Sequence, residues 1–228
     1  MVDYLIAAPG IVSILVADGG AFPVRRVFYL GRNYAEHARE MGSDPNRELP
    51  FFFMKPAHAL LVDEADMPYP PKSTHLHHEM ELVVAIGEGG ANIAEPDALN
   101  HVWGYAAGLD MTRRDLQNAA KKEGKPWDMG KRFDFSAQIG RLVPASRIGP
   151  PASGLIELKV NGKFRQSSDL SKMIWSVPET IAHLSGLVTL AQGDRIFTGT
   201  PENVAAVERG DVLEGVVEGV GSVKTRIV

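Results

Sequence analysis

Glu79 and Glu81 stand two positions apart at the head of an apolar run, Leu82-Val83-Val84-Ala85-Ile86. In a strand, positions i and i+2 project from one face, with Cα atoms roughly 7 Å apart, so the two carboxylates repel each other. A run that is apolar on both faces is the pattern of a strand buried on both sides, and carboxylates at its mouth call for a counter-charge. A divalent cation is the compact way to supply one. Asp110, at the end of a second apolar run, Tyr105-Ala106-Ala107-Gly108-Leu109, offers a third carboxylate. Three such groups converging from two strands would hold Mg²⁺ or Mn²⁺, with Ca²⁺ a further hard ion of the same preference, and leave one side open to substrate. The same Glu-x-Glu pattern also suits the solvated face of an amphipathic strand. His77 alternates with the two glutamates, either as a fourth ligand or, the preferred reading, as a group behind the ligands.

Other residues capable of chemistry lie on short helices. His37 and Glu40 are three apart in a helical stretch from Tyr34 to Met41, which places an imidazole beside a carboxylate. That pairing is the logic of a base that activates water, and it is equally a surface helical pair. Beyond Asp110, Thr112 and Asp115 have the spacing of a capping box for a helix reaching about Glu123. Arg113, Arg114 and Gln117 fall on its first turns, where a substrate carboxylate would be well received. Arg113-Arg114 with Lys121-Lys122 also fit a plain solvated face, the preferred reading for most of the four. The loop Thr198-Gly199-Thr200-Pro201 carries hydroxyls and amides suited to an oxyanion, although turn chemistry alone explains it.

The elements that must position these groups are mostly strands. Ile11–Val16 and Arg26–Leu30 read as strands on either side of an Asp18-Gly19-Gly20 turn, and Phe51–Met54 as another. Pro68 to Lys72 reads as a connector, dividing a small N-terminal lobe, 1–70, from a larger domain, 71–228. Asn161-Gly162 joins Leu155–Val160 to Lys163–Gln166 and is the strongest hairpin signal in the chain. Ser176 and Glu179 form a capping box for a helix to about Ser185, Arg195–Phe197 reads as a strand, and 211–228 as closing strands. Strands outnumber helices in irregular order, so the expected class is α+β, a mixed roll. The 228 residues carry 24 Lys plus Arg against 28 Asp plus Glu, so no basic field points to nucleic acid or an anionic membrane. Cysteine is absent, which removes disulfides, thiolate sites and cysteine nucleophiles and agrees with a reducing cytoplasm. With no basic leader and no apolar run long enough for a membrane span, a soluble, unexported protein is expected. Gly42 to Glu48, rich in Ser, Asp, Pro and Asn, reads as a lid over the site.

Taken together, several stretches resemble the fumarylacetoacetate hydrolase family, and within it the smaller bacterial acylpyruvate hydrolases. They are Gly31-Arg32-Asn33-Tyr34 with His37 and Glu40; Phe53-Met54-Lys55-Pro56; His78-Glu79-Met80-Glu81-Leu82; Asp110-Met111-Thr112 through Gln117; Gly124-Lys125-Pro126-Trp127 with Lys131; and Thr198-Gly199-Thr200-Pro201. The resemblance implies a β-sandwich roll, a homodimer and a divalent metal on Glu79, Glu81 and Asp110. It further implies His37 and Glu40 as a water-activating pair, Lys131 as a catalytic lysine, and Gln117 with Thr200 as groups that orient substrate. Arg32 and Tyr34 come with the matched motif. Arg114, Arg113, Arg132 and Lys55 are candidates to meet a distal substrate carboxylate.

The implied reaction is hydrolysis of a carbon–carbon bond in a 2,4-dioxo acid, with fumarylpyruvate to fumarate and pyruvate, as in gentisate breakdown, the finer expectation. Oxaloacetate decarboxylation or keto–enol isomerisation of a related dioxo acid is the nearest competitor. It needs no attacking water, whereas His37 with Glu40 favours hydrolysis. A non-catalytic binding protein stabilised by metal is the competitor from another class.

Overall fold

The computed structural model describes residues 5–42 and 48–228. The expected lid falls largely on 43–47 and so lies outside the described residues.

Among the described residues the centre of the molecule is an eight-stranded sheet. Its order is Phe52–Lys55, Val27–Leu30, Arg195–Phe197, Met80–Ile86, Val102–Asp110, Ala137–Ile139 and Leu60–Leu61, with Val143–Pro144 also pairing with Val102–Asp110. Met80–Ile86 is buried at every position because both of its faces are covered. Met80, Leu82, Val84 and Ile86 join one core with Ile156, Leu158, Leu213 and Val217 of a four-stranded antiparallel sheet. Val83 and Ala85 point the other way, into a second core with Tyr29, Phe197 and the N-terminal hairpin residues Ile14, Val16 and Phe22. Each fully buried aliphatic side chain contributes on the order of 1.5–3 kcal/mol, so the strand is strongly held in one register. The mixed sandwich of strands with few, short helices is the α+β class that the sequence implies.

That register organises the site. Glu81 pairs with Gly108 and Met80 with Leu109, and the Asp110 amide donates to the Glu79 carbonyl at 2.8 Å. Directly opposed residues of an antiparallel pair share a face, so Glu79, Glu81 and Asp110 emerge on one side of the sheet, and a one-residue slip would scatter them. Gly108 is required opposite Glu81. A Cβ there would stand 2.6 Å from a Phe197 ring carbon and 2.7 Å from Val83 Cγ2.

Several local expectations stand. Asn161 and Gly162 have φ of 51° and 74° and close the hairpin Leu155–Val160 to Lys163–Asp169. Ser176 and Glu179 cap the helix Val177–Leu187 reciprocally. Others are corrected. The Asp18-Gly19-Gly20 turn joins Ser13–Leu15 to Ala21–Pro23, a two-stranded sheet of its own, while Val27–Leu30 goes to the central sheet. The strands Val27–Leu30, Phe52–Lys55 and Leu60–Leu61 share that sheet with Met80–Ile86, so residue 70 falls between strands of one sheet. The helix Arg114–Lys122 has no side-chain cap. The Thr112 hydroxyl donates to Glu79 instead, and Asp115 accepts from Ser73 and the Thr74 amide.

Gly108→Ala is expected to destabilise the fold by about 1–3 kcal/mol through overpacking against Phe197 and Val83. Gly186→Ala, on the exposed side of the helix Val177–Leu187 with nothing nearer than Asn92 Oδ1 at 3.9 Å, is expected to stabilise it by about 0.5–1 kcal/mol. Urea unfolding of the two variants reads both signs.

Candidate active site

The end of the central sheet opens into a cavity of about 290 Å³ whose floor is Glu79, Glu81 and Asp110. One oxygen from each of the three buried carboxylates lies within 4.8 Å of the others. Glu79 Oε1 accepts from Thr112 Oγ1 at 3.0 Å and Arg114 Nη2 at 2.5 Å, and Oε2 accepts from Lys131 Nζ at 2.8 Å. Lys131 Nζ also donates to Asp110 Oδ2 at 2.5 Å. Lys55 Nζ forms an ion pair with Asp110 Oδ1 at 2.5 Å, yet its directed hydrogen bonds go to the carbonyls of Met111, 2.9 Å, and Ser136, 2.7 Å. Asp110 Oδ1 is therefore met by the charge of Lys55 in a short ion pair and not by a well-directed hydrogen bond. Glu81 Oε2 accepts from the Gly199 amide at 2.7 Å. Gly199 has a φ of 92°, and a Cβ at this position would approach Asn33 Cβ to 2.7 Å, so the amide reaches Glu81 only from a glycine.

The charges in this cluster are unevenly shared. Burial opposes ionisation of Glu79, but Lys131 and Arg114 outweigh it and hold the carboxyl well below its ordinary range. Glu81 has no such cation. Burial, then the charges of Asp110 and Glu79, push it well above that range. Burial also pulls Lys55 down to about 8 against the attraction of Asp110, whereas for Lys131 Asp110 and Glu79 together overcome burial and raise it. An all-oxygen cluster that includes one carboxyl whose ionisation its neighbours oppose suits a hard divalent cation, which would relieve that repulsion.

His37 is buried and lines the cavity; its Nδ1 lies 3.3 Å from Glu40 Oε2. Glu40 sits behind it, outside the cavity lining, and also accepts from the Asn203 amide at 3.1 Å. Burial of Glu40 is overcome by the His37 hydrogen bond and charge, which lower its pKa. Arg32, Arg114, Gln117, Lys131 and Thr200 line the same cavity. Arg114 Nη1 donates to Gln117 Oε1 at 2.7 Å, and Gln166 Nε2 donates to Thr200 Oγ1 at 3.0 Å, leaving the threonine proton free to point elsewhere.

Four sequence-based expectations do not lead to the cavity. Lys55 is enclosed beneath it, serving Asp110 and two carbonyls, and so does not meet a distal substrate carboxylate. Tyr34 is buried outside the lining, its hydroxyl without a hydrogen-bond partner among the described residues. Arg113 donates to the carbonyls of Met129 and Pro71 and lies over the Phe133 ring. Arg132 pairs with Asp128 at the surface. His77 stands outside the carboxylate cluster, with burial, then Arg114, lowering it to about 4. Lys121, read with the solvated face, does line the cavity, together with Phe51, Phe53 and Trp127. The signal that finds it is spacing, since Arg114, Gln117 and Lys121 fall at i, i+3 and i+7 of one helix face.

Comparison with known proteins agrees with this geometry. Residues 26–228 match the fumarylacetoacetate (FAA) hydrolase C-terminal family. A crystal structure of fumarylpyruvate hydrolase from Pseudomonas aeruginosa in complex with Mn²⁺ and pyruvate is 50% identical, superposes with a TM-score of 0.97, and is covered over 99% of each chain. A fumarylpyruvate hydrolase of Ralstonia sp is 44% identical over 184 residues, 81% of this chain and 95% of that one. A mitochondrial oxaloacetate tautomerase, FAHD1 of Rattus norvegicus, is 40% identical over 203 residues, 89% of this chain and 91% of that one. The chain belongs to the fumarylacetoacetate hydrolase family and is an enzyme of that family, whose name-giving chemistry is hydrolysis of a carbon–carbon bond. No helix among the described residues is long and apolar enough to cross a membrane.

Because the folded protein holds the Glu81 proton more tightly than the unfolded chain, this group costs the metal-free fold stability as pH rises from the ordinary glutamate range, about 4.3, toward its raised value. In chelator, the melting temperature of wild type relative to Glu81→Gln is therefore expected to fall with rising pH. Mn²⁺ should reverse that trend in wild type and raise the melting temperature, and should do neither in Glu81→Gln.

Proposed function

We propose that the chain hydrolyses the carbon–carbon bond of an acylpyruvate, with fumarylpyruvate giving fumarate and pyruvate. Glu79, Glu81 and Asp110 would hold Mg²⁺ or Mn²⁺. The observation that carries this reading is the meeting in one cavity of a three-carboxylate cluster with an imidazole, His37, that is backed by the carboxylate of Glu40. The match to a fumarylpyruvate hydrolase crystallised with Mn²⁺ and pyruvate supports it. Charge supports it too. Lys55, Lys131 and Arg114 are paired with Asp110 and Glu79, so a divalent cation bound with Glu81 as a carboxylate would leave the site with surplus positive charge, which a dicarboxylate substrate cancels.

When bound, the cation supplies Lewis-acid polarisation of the 2-oxo acid end of the substrate. His37, its Nδ1 turned to Glu40, takes a proton from water through its other nitrogen. The water oxygen bonds to the carbonyl carbon C4. The C3–C4 bond then breaks with its electron pair going to C3, which releases the acid product and a pyruvate enolate, and the proton is returned to C3. Lys131, fixed between Glu79 and Asp110, is the cation beside the developing enolate charge. Gln117 and Thr200, each held by a neighbour, orient substrate oxygens.

The same cavity would also support exchange of the keto and enol forms of oxaloacetate, a reading favoured by the 40% identity to a tautomerase. That reaction needs a base at C3 and no attacking water.

Loss of the enol absorbance of fumarylpyruvate with release of fumarate is the expected activity, abolished by chelator and restored by Mn²⁺ or Mg²⁺. Glu40→Gln and His37→Ala are expected to slow cleavage about 10²–10⁴-fold, the usual worth of a positioned base. Undiminished cleavage by Glu40→Gln, or rapid turnover of oxaloacetate with none of fumarylpyruvate, would defeat the hydrolytic reading.

A further inference from the structure

The cavity floor and its rim differ in sign. All the acids that line it, Glu79, Glu81 and Asp110, are on the floor, where Arg114 and Lys131 are committed to them. Two further cations line the cavity, Arg32 and Lys121, and among the described residues neither has a carboxylate partner. Each lies instead over an aromatic ring. The Arg32 guanidinium carbon is 5.5 Å from the Phe51 ring centroid, and Lys121 Nζ is 5.9 Å from that of Trp127. Those rings are themselves part of the cavity wall, so both cations stand on an apolar ledge that weakens their hydration and leaves them facing a shared space.

Arg32 is held there at some cost. Its φ is 57°, in the left-handed region, a strained conformation for a residue with a side chain. The neighbouring Gly31 explains how the turn is kept. A Cβ on Gly31 would lie 2.1 Å from Phe51 Cζ, so the tip of the ring closes on the glycine and its face is left to the Arg32 guanidinium. Lys121 comes from a different element, the helix Arg114–Lys122, seven positions beyond Arg114. Although partly exposed, it is pushed down to about 8, first by desolvation and then by the charges of Arg114, Arg32 and Lys131. Cations brought together from separate elements, with no acid among them, make a receptor for an anion that arrives with the ligand.

We propose that Arg32 and Lys121 are the specificity-determining pair of this cavity, receiving the distal carboxylate of a substrate whose 2-oxo acid end lies over the carboxylate floor. The assignment rests on the 2-oxo acid reading given above and adds the residues that select the second carboxylate of a dicarboxylic substrate. Shorter acids lacking a second carboxylate leave the two cations unpaired.

The test is equilibrium binding, separated from turnover. The Mn²⁺-loaded full chain is titrated calorimetrically with 2-oxoadipate and with 2-oxohexanoate, which have the same chain length and differ in the distal carboxylate. Neither carries the 4-oxo group needed for cleavage. Wild type should bind 2-oxoadipate at least about tenfold more tightly, the worth of a partly desolvated charge pair. In Lys121→Met, at an exposed helical position that tolerates methionine, the ratio of the two Kd values should fall, and in Lys121→Met with Arg32→Gln it should approach one. A wild-type ratio near one, or a ratio unchanged in the double variant, overturns the pair while leaving the 2-oxo acid reading in place. Failure of both ligands to bind the Mn²⁺-loaded protein overturns that reading and the pair with it.

Discussion

Three carboxylates share one face of a buried sheet because two strands are paired in one register. Glu79 and Glu81 are fixed two apart by the chain, and the pairing of Glu81 with Gly108 brings Asp110 beside them. Removing carboxylates from water costs on the order of several kcal/mol per ion, more when they repel, and a fold tolerates it only with excellent compensation. Here the apolar side chains of Met80–Ile86, packed on both faces, hold the register that the charges themselves oppose.

Compensation then dictates what surrounds the cluster. Lys131 bridges Glu79 and Asp110, Arg114 and Thr112 complete Glu79, and the Gly199 amide meets Glu81. Elements distant in sequence are thereby drawn to one point: the turn of helix Asp128–Lys131, the helix Arg114–Lys122 and the loop after Arg195–Phe197. What the protein does not compensate is as informative. Glu81 has no cation of its own, and burial with the charges of Asp110 and Glu79 opposes its ionisation, a feature that a divalent cation would relieve.

Much of this is legible in the sequence. Period-two spacing exposes Glu79 and Glu81 as a pair, an unbroken apolar run shows that their strand is buried, and Asn161-Gly162 and Ser176 with Glu179 act locally enough to be read residue by residue. The ambiguities were non-local. Thr112 looks like a helix cap, and only the approach of Glu79 across the sheet decides that its hydroxyl goes elsewhere. Lys55 reads as a candidate for the distal substrate carboxylate until the sheet closes over it. Arg113 and Arg114 are neighbours of the same type, and a rotation of one residue sends the first to backbone carbonyls and the second into the cavity. Lys121 shares a helix face with Arg114 and Gln117, a pattern present in the sequence, but its meaning depends on Arg32 lining the same cavity. The expected divide at residue 70 rests on proline-rich composition, which marks a connector without telling whether the strands on either side share a sheet.

The most direct test of the proposed chemistry follows the oxygen atom. Fumarylpyruvate is turned over in ¹⁸O-enriched heavy water with Mn²⁺ present, and the products and remaining substrate are weighed by mass spectrometry. Attack of a water activated by His37 and Glu40 places one labelled oxygen in the carboxylate newly formed on fumarate. Recovery of uncleaved substrate whose C3 hydrogens alone have exchanged with solvent would contradict it, and would mean that the carboxylate floor serves keto–enol exchange without an attacking water.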